Sequence, residues 1–294
     1  MDHLLLFGLG YTGRAIAAAV ASPGRRVTIA SRQVESARPA ESAIPAAPQI
    51  VAFDDAADVI AVATHLVLTA PPGETGDPVL LRHGAAIAAA PALRWIGYLS
   101  STGVYGDRAG GLVDETSEPR PGSSRALRRV AAEAAWREIA AGRALDIFRL
   151  AGIYGPGRSA LDRIRAGDAQ RIVRPGHRFG RIHRDDIAAA VLAALGQNPP
   201  PGVRVFNLVD DTPAESAEVL EEAARLLGVP PPVAIDFAEA VTAMSPMARS
   251  FWADNRTVSA AATRAALGIA WRYPSYREGL RAILREEQAA DRPA

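Results

Sequence analysis

Residues 4–13 read Leu4-Leu5-Leu6-Phe7-Gly8-Leu9-Gly10-Tyr11-Thr12-Gly13, and Arg14-Ala15-Ile16-Ala17-Ala18-Ala19-Val20 follows directly. The apolar run predicts a buried strand, and the alanine-rich stretch predicts a helix. A glycine turn between them leaves helix amides and the positive pole of the helix dipole pointing at one place. That place suits a pyrophosphate. Gly8 would allow the tight turn, Gly10 the approach of phosphate, and Gly13 the packing of helix on strand, with Tyr11 and Thr12 in the first helical turn. A glycine turn without ligand would need the same spacing, so the strand and helix on either side carry the weight.

Further strands are expected at Arg26–Ala30, Ile50–Phe53, His65–Ala70, Trp95–Leu99, Leu145–Leu150 and Val203–Asn207, separated by helical stretches such as Ala126–Ala141. Continuous apolar strands alternating with helices predict an α/β protein with a Rossmann-type, doubly wound parallel sheet. The last third changes character. Ala214–Leu227 reads as an amphipathic helix stopped by Gly228, Met244-Ser245-Pro246-Met247 as a turn, and Tyr276–Glu287 as a charged helix. The expected division is a nucleotide-binding domain over 1–165, to which 183–210 returns. A smaller C-terminal substrate lobe would comprise 166–182 and 211–288, with a frayed tail over 289–294.

Composition narrows the chemistry. The 294 residues contain no cysteine and carry a net charge of +1. Disulfides, thiolate nucleophiles and cysteine-ligated metals are therefore excluded, and no strong field recruits nucleic acid or membrane. No apolar stretch reaches the roughly 20 residues that span a bilayer, and no secretion signal opens the chain, so a cytoplasmic location is expected. All 33 basic residues are arginine; lysine is absent altogether. A Schiff base or a lysine-tuned proton donor is thus impossible. The five histidines are scattered without metal spacing, and no metal is expected. A Gly-x-Ser-x-Gly hydrolase elbow is also missing.

The cofactor reading turns on the end of the second strand. An NAD site places a carboxylate there, whereas this chain has Ser31-Arg32-Gln33. Arginine can grip a 2′-phosphate through paired, charge-assisted hydrogen bonds, so Ser31 and Arg32 favour NADP over NAD. In an arginine-rich chain a solvated surface Arg32 is the alternative. Asp54 would face the adenine or simply occupy an exposed turn, and Ala70-Pro71-Pro72 would pass close to the cofactor.

Later segments carry a resemblance. Leu99-Ser100-Ser101-Thr102-Gly103-Val104-Tyr105-Gly106, Arg149-Leu150-Ala151-Gly152-Ile153-Tyr154-Gly155-Pro156-Gly157 and His183-Arg184-Asp185-Asp186 stand in order along the chain. With the glycine turn they resemble the extended short-chain dehydrogenase/reductase superfamily, which includes NAD(P)-dependent sugar-nucleotide epimerases and dehydratases. The similarity spans nearly the whole chain. It implies a catalytic hydroxyl at Ser101, and it puts His183-x-Asp-Asp at a structural helix start. Two departures accompany it. Phe7 stands where relatives usually carry glycine. Counting back from Glu133, Arg125 and Arg129 occupy the positions of the superfamily's acid/base tyrosine and its lysine, which also places Arg129 at the cofactor ribose.

Three functional readings follow. The first is an NADP-dependent oxidoreductase or epimerase in which Tyr105 or Tyr154 takes over proton transfer, beside an arginine that stabilises its phenolate. The second is an NADP(H)-binding sensor that keeps the phosphate loop without redox turnover. The third keeps catalysis and gathers Arg125, Arg129, Arg158 and Arg163 around an anionic small molecule, a nucleotide sugar or a carboxylate. Pairing of two copies through the Ala126–Ala141 helix would make a homodimer.

Overall fold

The computed structural model describes residues 2–22, 24–34 and 48–290. In chain order its strands are β1 (His3–Phe7), β2 (Arg26–Ser31), β3 (Gln49–Ala52), β4 (His65–Leu68), β5 (Trp95–Ser101), β6 (Leu112–Val113), β7 (Ala144–Leu150), β8 (Gly152–Tyr154), β9 (Arg171–Val173), β10 (Arg181–His183), β11 (Gly202–Leu208), β12 (Ala234–Asp236) and β13 (Thr257–Val258). Seven of them form one sheet in the order β3-β2-β1-β4-β5-β7-β11. Every pairing within it is parallel. The order reverses between β1 and β4, and a crevice opens at such a switch point beyond the strands' C-terminal ends.

Both faces of the sheet are covered, as the apolar strands require. On one side Leu4, Leu6, Ile29 and Val67 pack with Ile16 and Val20 of helix Tyr11–Val20 and with Ile187 and Val191 of helix Arg184–Gly196. On the other, Leu5, Phe7, Leu66 and Ile96 meet Ile60, Ile87 and Trp136 from helices Ala57–Val62, Pro78–Ala89 and Ser124–Ile139. The doubly wound α/β class expected from the sequence is the one observed.

A smaller core lies beside the sheet, built from Tyr154, Leu161, Ala214, Val219, Ala223, Tyr276, Leu280 and Ile283. Its membership departs from the expected division at two places. Tyr154 and Leu161, counted with the nucleotide unit, pack here because Gly279 leaves room for the Tyr154 ring; a Cβ there would lie 2.2 Å from its hydroxyl. Conversely Ala260, Leu267 and Trp271, counted with the lobe, pack into the core beneath the sheet.

Three local expectations also change. The third strand ends at Ala52, because Phe53 enters the 3-10 turn Phe53–Asp55. Met244–Met247 is a helix start: the Ser245 hydroxyl accepts the Ala248 amide, and Pro246 opens helix Pro246–Ala253. The terminal helix runs from Tyr276 to Ala290, past the point where fraying was expected, and 291–294 of the tail lie outside the described residues.

The glycine turn is held by two close approaches. Gly8 has φ +101°, and its amide donates to the Ala30 carbonyl. A Cβ at Gly13 would sit 2.3 Å from the Gly8 carbonyl oxygen, which is backbone and cannot swing aside. We therefore expect Gly13→Ala to lower unfolding stability by about 1–3 kcal/mol, read by urea denaturation, because helix and strand must separate.

Candidate active site

Helix Tyr11–Val20 begins without a side-chain cap and with no acidic residue in its first turn. Its first amides therefore remain open to an anion. Nothing lies within 4 Å of where a Gly10 Cβ would stand, so the turn faces free space. These features fit a dinucleotide pyrophosphate. Thr69, which the sequence reading missed, closes the turn from β4: its hydroxyl donates to the carbonyls of Phe7 at 3.0 Å and Gly8 at 3.1 Å. A lone polar residue ending an apolar strand was the available signal. Tyr11 leans over the turn, donating to the Pro156 carbonyl at 3.1 Å, with the guanidinium groups of Arg158 and Arg184 against its ring.

At the far end of β2, Ser31 is buried with its hydroxyl accepting the Gln33 amide, and Arg32 is exposed. Asp54 lies in the turn after β3, exposed and paired with Arg82 at 3.1 Å. Ala70 and Pro72 are half-buried beyond β4, and Pro71 is exposed.

Beyond the C-terminal ends of β5 and β7 lies a cavity of about 940 Å³. Thr12 and Thr69 of the turn line one end, Ser101, Arg125 and Arg129 the middle, and Arg181 and Tyr276 the lobe side. Ser101 ends the buried β5, and its hydroxyl accepts the Gly103 amide at 3.1 Å as the cap of the 3-10 turn Thr102–Tyr105. Arg129 is fastened to β5, with Nη1 donating to the Leu99 carbonyl at 2.8 Å and the Tyr98 hydroxyl at 3.2 Å. Arg158 and Arg163 also reach the cavity, Arg163 with Asp168 at 3.7 Å.

The two tyrosines offered for proton transfer are placed differently. Tyr105 is fully buried and absent from the cavity wall. Its hydroxyl donates to Asn207 Oδ1 at 2.8 Å, and the Arg149 guanidinium lies 4.8 Å from its ring centre. Tyr154 does border the cavity, but it is buried and its hydroxyl donates to the Ser275 carbonyl at 3.3 Å. Burial, with Asp210 and Asp186 nearby, pushes this phenol far above its ordinary range. The motif does open a helix: His183 caps helix Arg184–Gly196, Nδ1 accepting the Asp185 amide. Asp186 instead accepts the amides of Arg272 and Tyr273, tying the helix to the C-terminal segment.

Two residues from the end of helix Pro246–Ala253 were not foreseen. Asp254 and Arg256 line the cavity and pair at 3.0 Å, and Arg256 Nη1 also donates to the Gly106 carbonyl. They come from a segment distant in sequence and carry no local pattern. Beneath the wall, Arg149 and Glu133 form a buried pair. Arg149 Nε and Nη2 reach Glu133 at 3.2 and 2.8 Å, and the Ser100 hydroxyl donates to the same carboxylate at 2.6 Å. Glu133→Ala would strand the Arg149 charge, so a loss of about 3–5 kcal/mol is expected in chemical denaturation.

Near the lobe, Asp210 is buried and neither carboxylate oxygen has a well-formed hydrogen bond. Burial pushes its pKa up to about 7, which Arg181 and the amides of Thr212 and Arg181 offset only in part. The unfolded chain loses this proton near the ordinary value of 3.8, the native one near 7, so this group lowers stability as pH rises between them. Asp210→Asn should therefore raise Tm relative to wild type near pH 8, with the difference shrinking towards pH 4.

The sheet order and the glycine turn define a Rossmann-type fold of the extended short-chain dehydrogenase/reductase type. Protein YeeZ of Escherichia coli K12 is 32% identical over 248 residues, covering 79% of this chain and 86% of YeeZ. The chain belongs to the YeeZ family within that superfamily. A solved structure of a functionally unknown conserved protein from Silicibacter pomeroyi is 39% identical, covers 98% of this chain and all of its own, and superposes with TM-score 0.88. At 20% identity, MoeE5 in complex with UDP-glucuronic acid and NAD has TM-score 0.77, covering 99% of this chain and 100% of its own. Human epimerase family protein SDR39U1 with NADPH, also 20% identical, has TM-score 0.73 and covers 96% and 99%. These two share the fold. No model of a known protein family matches the chain.

Proposed function

We propose that the protein is an NADP(H)-dependent enzyme of the epimerase/dehydratase type acting on a small polar, anionic molecule. One observation carries this reading: a single cavity joins the open helix start at Thr12 to the Ser101 hydroxyl and the arginines of the opposite wall. The amides after Gly10 would hold the pyrophosphate, and Ser31 with the exposed Arg32 would take the 2′-phosphate. When bound, the dinucleotide supplies hydride transfer. Ser101 would donate its hydroxyl to a substrate oxygen, and Arg129, fixed on the Leu99 carbonyl, would keep a positive charge beside it. Arginine stays protonated at working pH, so neither Arg125 nor Arg129 exchanges the proton.

A second reading has its own support. With Tyr105 sealed against Asn207 and Tyr154 held on Ser275, neither of the two phenols offered for proton transfer stands free, which suits a cofactor sensor. Turnover of bound NADPH by a panel of carbonyl compounds separates the two readings, since a sensor leaves the nucleotide unchanged.

The cofactor is tested by following nicotinamide fluorescence during titration with NADPH and NADH. NADPH should bind more tightly, and Arg32→Asp should weaken it by about tenfold or more while sparing NADH. Equal binding of both nucleotides, unchanged in the variant, would remove Arg32 from the site. Binding of neither would refute the cofactor reading.

A further inference from the structure

The oxidised and reduced forms of a nicotinamide dinucleotide share their pyrophosphate, riboses and adenine. They differ in the nicotinamide ring, which carries a positive charge when oxidised and none when reduced. A protein that holds both forms in one pose therefore separates them through the potential it sets at that ring. In this cavity the potential is one-sided. Seven arginines line it against three aspartates, with no glutamate lining it among the described residues. Each aspartate already faces a partner. Asp162 accepts the amide and hydroxyl of Ser159, Asp168 faces Arg163 at 3.7 Å, and Asp254 pairs with Arg256 at 3.0 Å. On the lobe side, Arg181 has the buried Asp210 beside it.

The excess collects in the middle of the cavity. Arg129 donates to the Leu99 carbonyl and the Tyr98 hydroxyl, which hold it in place without neutralising it. The carboxylates behind it are engaged elsewhere, Asp77 with the amides of Val79 and Leu80 and the Trp136 indole, Glu133 with Arg149. Arg125 forms no ion pair among the described residues. It lies 5.6 Å from the centre of the Phe251 ring, and the charged groups around it are Arg129, Arg128 and Arg158. It also stands in the first turn of the 16-residue helix Ser124–Ile139, so the positive end of that dipole adds to the field.

A dinucleotide starting at the glycine turn would cross the ends of β1 and β4 and finish beyond β5. There Ser101, Arg125 and Arg129 share one cavity with Thr12 and Thr69. Screening takes about 8 Å in physiological salt and is weaker for a half-buried charge such as Arg129, so the wall acts on the ring throughout this region.

Resting on the reading that the cleft holds a nicotinamide dinucleotide, we propose that the arginines of this wall make the protein selective for the reduced nucleotide. The positive ring of the oxidised form is repelled and the neutral ring is not. A tenfold preference raises the midpoint potential of the bound couple by about 30 mV, so occupancy follows the reduced pool. In turnover it favours the direction in which a carbonyl carbon gains a hydride, its oxygen gains a proton from solvent, and the nucleotide leaves oxidised. Within the proposed class this selects net reduction over a cycle that keeps the oxidised ring bound.

Isothermal titration calorimetry of the full chain with NADPH, NADP⁺, NADH and NAD⁺ tests this, the second couple separating ring charge from the 2′-phosphate. Each reduced form is expected to bind about tenfold or more tightly than its oxidised partner. Arg125→Gln should narrow that ratio by roughly threefold and Arg125→Glu by roughly tenfold, chiefly through tighter binding of the oxidised form, with Arg125→Lys retaining it. Arg129→Gln should narrow it too. Arg137→Gln, at an exposed position in the last turn of the same helix, should leave it unchanged. A purely structural role of Arg125 or Arg129 would weaken both redox states alike and leave the ratio as it was. A ratio near one or below in the wild type, or a ratio that neither Arg125→Glu nor Arg129→Gln moves, would overturn the proposal. Binding of no nucleotide at all would refute the cofactor reading on which it rests.

Discussion

The buried Arg149–Glu133 pair is the constraint on which the cleft depends. Both side chains are almost wholly removed from solvent, at 3% and 4% exposure, so their charges lose hydration that the pair must replace. Two guanidinium–carboxylate contacts and the Ser100 hydroxyl supply that replacement. In doing so they join β7, β5 and helix Ser124–Ile139 at one point. The face of Arg149 also lies on Tyr105, whose hydroxyl reaches Asn207 on β11. Three adjacent strands and the helix bearing Arg125 and Arg129 are thereby locked in one register just beneath the cavity. Separating these elements would leave a buried charge unpaired, which favours this arrangement of the wall.

How far this was legible in the sequence depends on the range of each interaction. The glycine turn and the parallel, doubly wound class of the sheet were readable because strand, turn and helix follow one another within 20 residues and their packing rules are local. Ser101 entered through the resemblance of the Leu99–Gly106 segment, and the cavity wall is where the structure puts it. The role of Tyr105 was not readable. Its fate is decided by Asn207, 102 positions away, and by an arginine paired across the core. Asp254 and Arg256 were invisible because their placement beside the Gly103–Gly106 loop comes entirely from the path of the C-terminal segment. Ser245-Pro246 shows a milder failure, since serine followed by proline opens turns and helices alike. Only the apolar face that Trp252 lays against His177, Phe179 and Phe237 decides between them.

An all-arginine complement changes what the catalytic positions can do. On the proposed reading, where the superfamily pairs a phenol with an ammonium group this chain would offer two guanidinium groups with different anchoring. Arg129 is bound to β5 through a carbonyl and a phenol, neither of which neutralises it. Arg125 rests on an aromatic ring, which also leaves its charge intact. The exchange therefore trades a group that moves a proton for groups that fix a negative charge. A carbonyl oxygen gaining charge beside Ser101 and Arg129 would be stabilised electrostatically without receiving a proton from either arginine. A proton, where one is needed, would then come from the ligand itself, from solvent or from a hydroxyl of the wall such as Ser101 or Tyr276. The burial of Tyr154 argues in the same direction, because its phenol holds its proton too firmly to act as a base and donates to a backbone carbonyl. Chemistry in this cleft, if it turns over, rests on charge placed in advance.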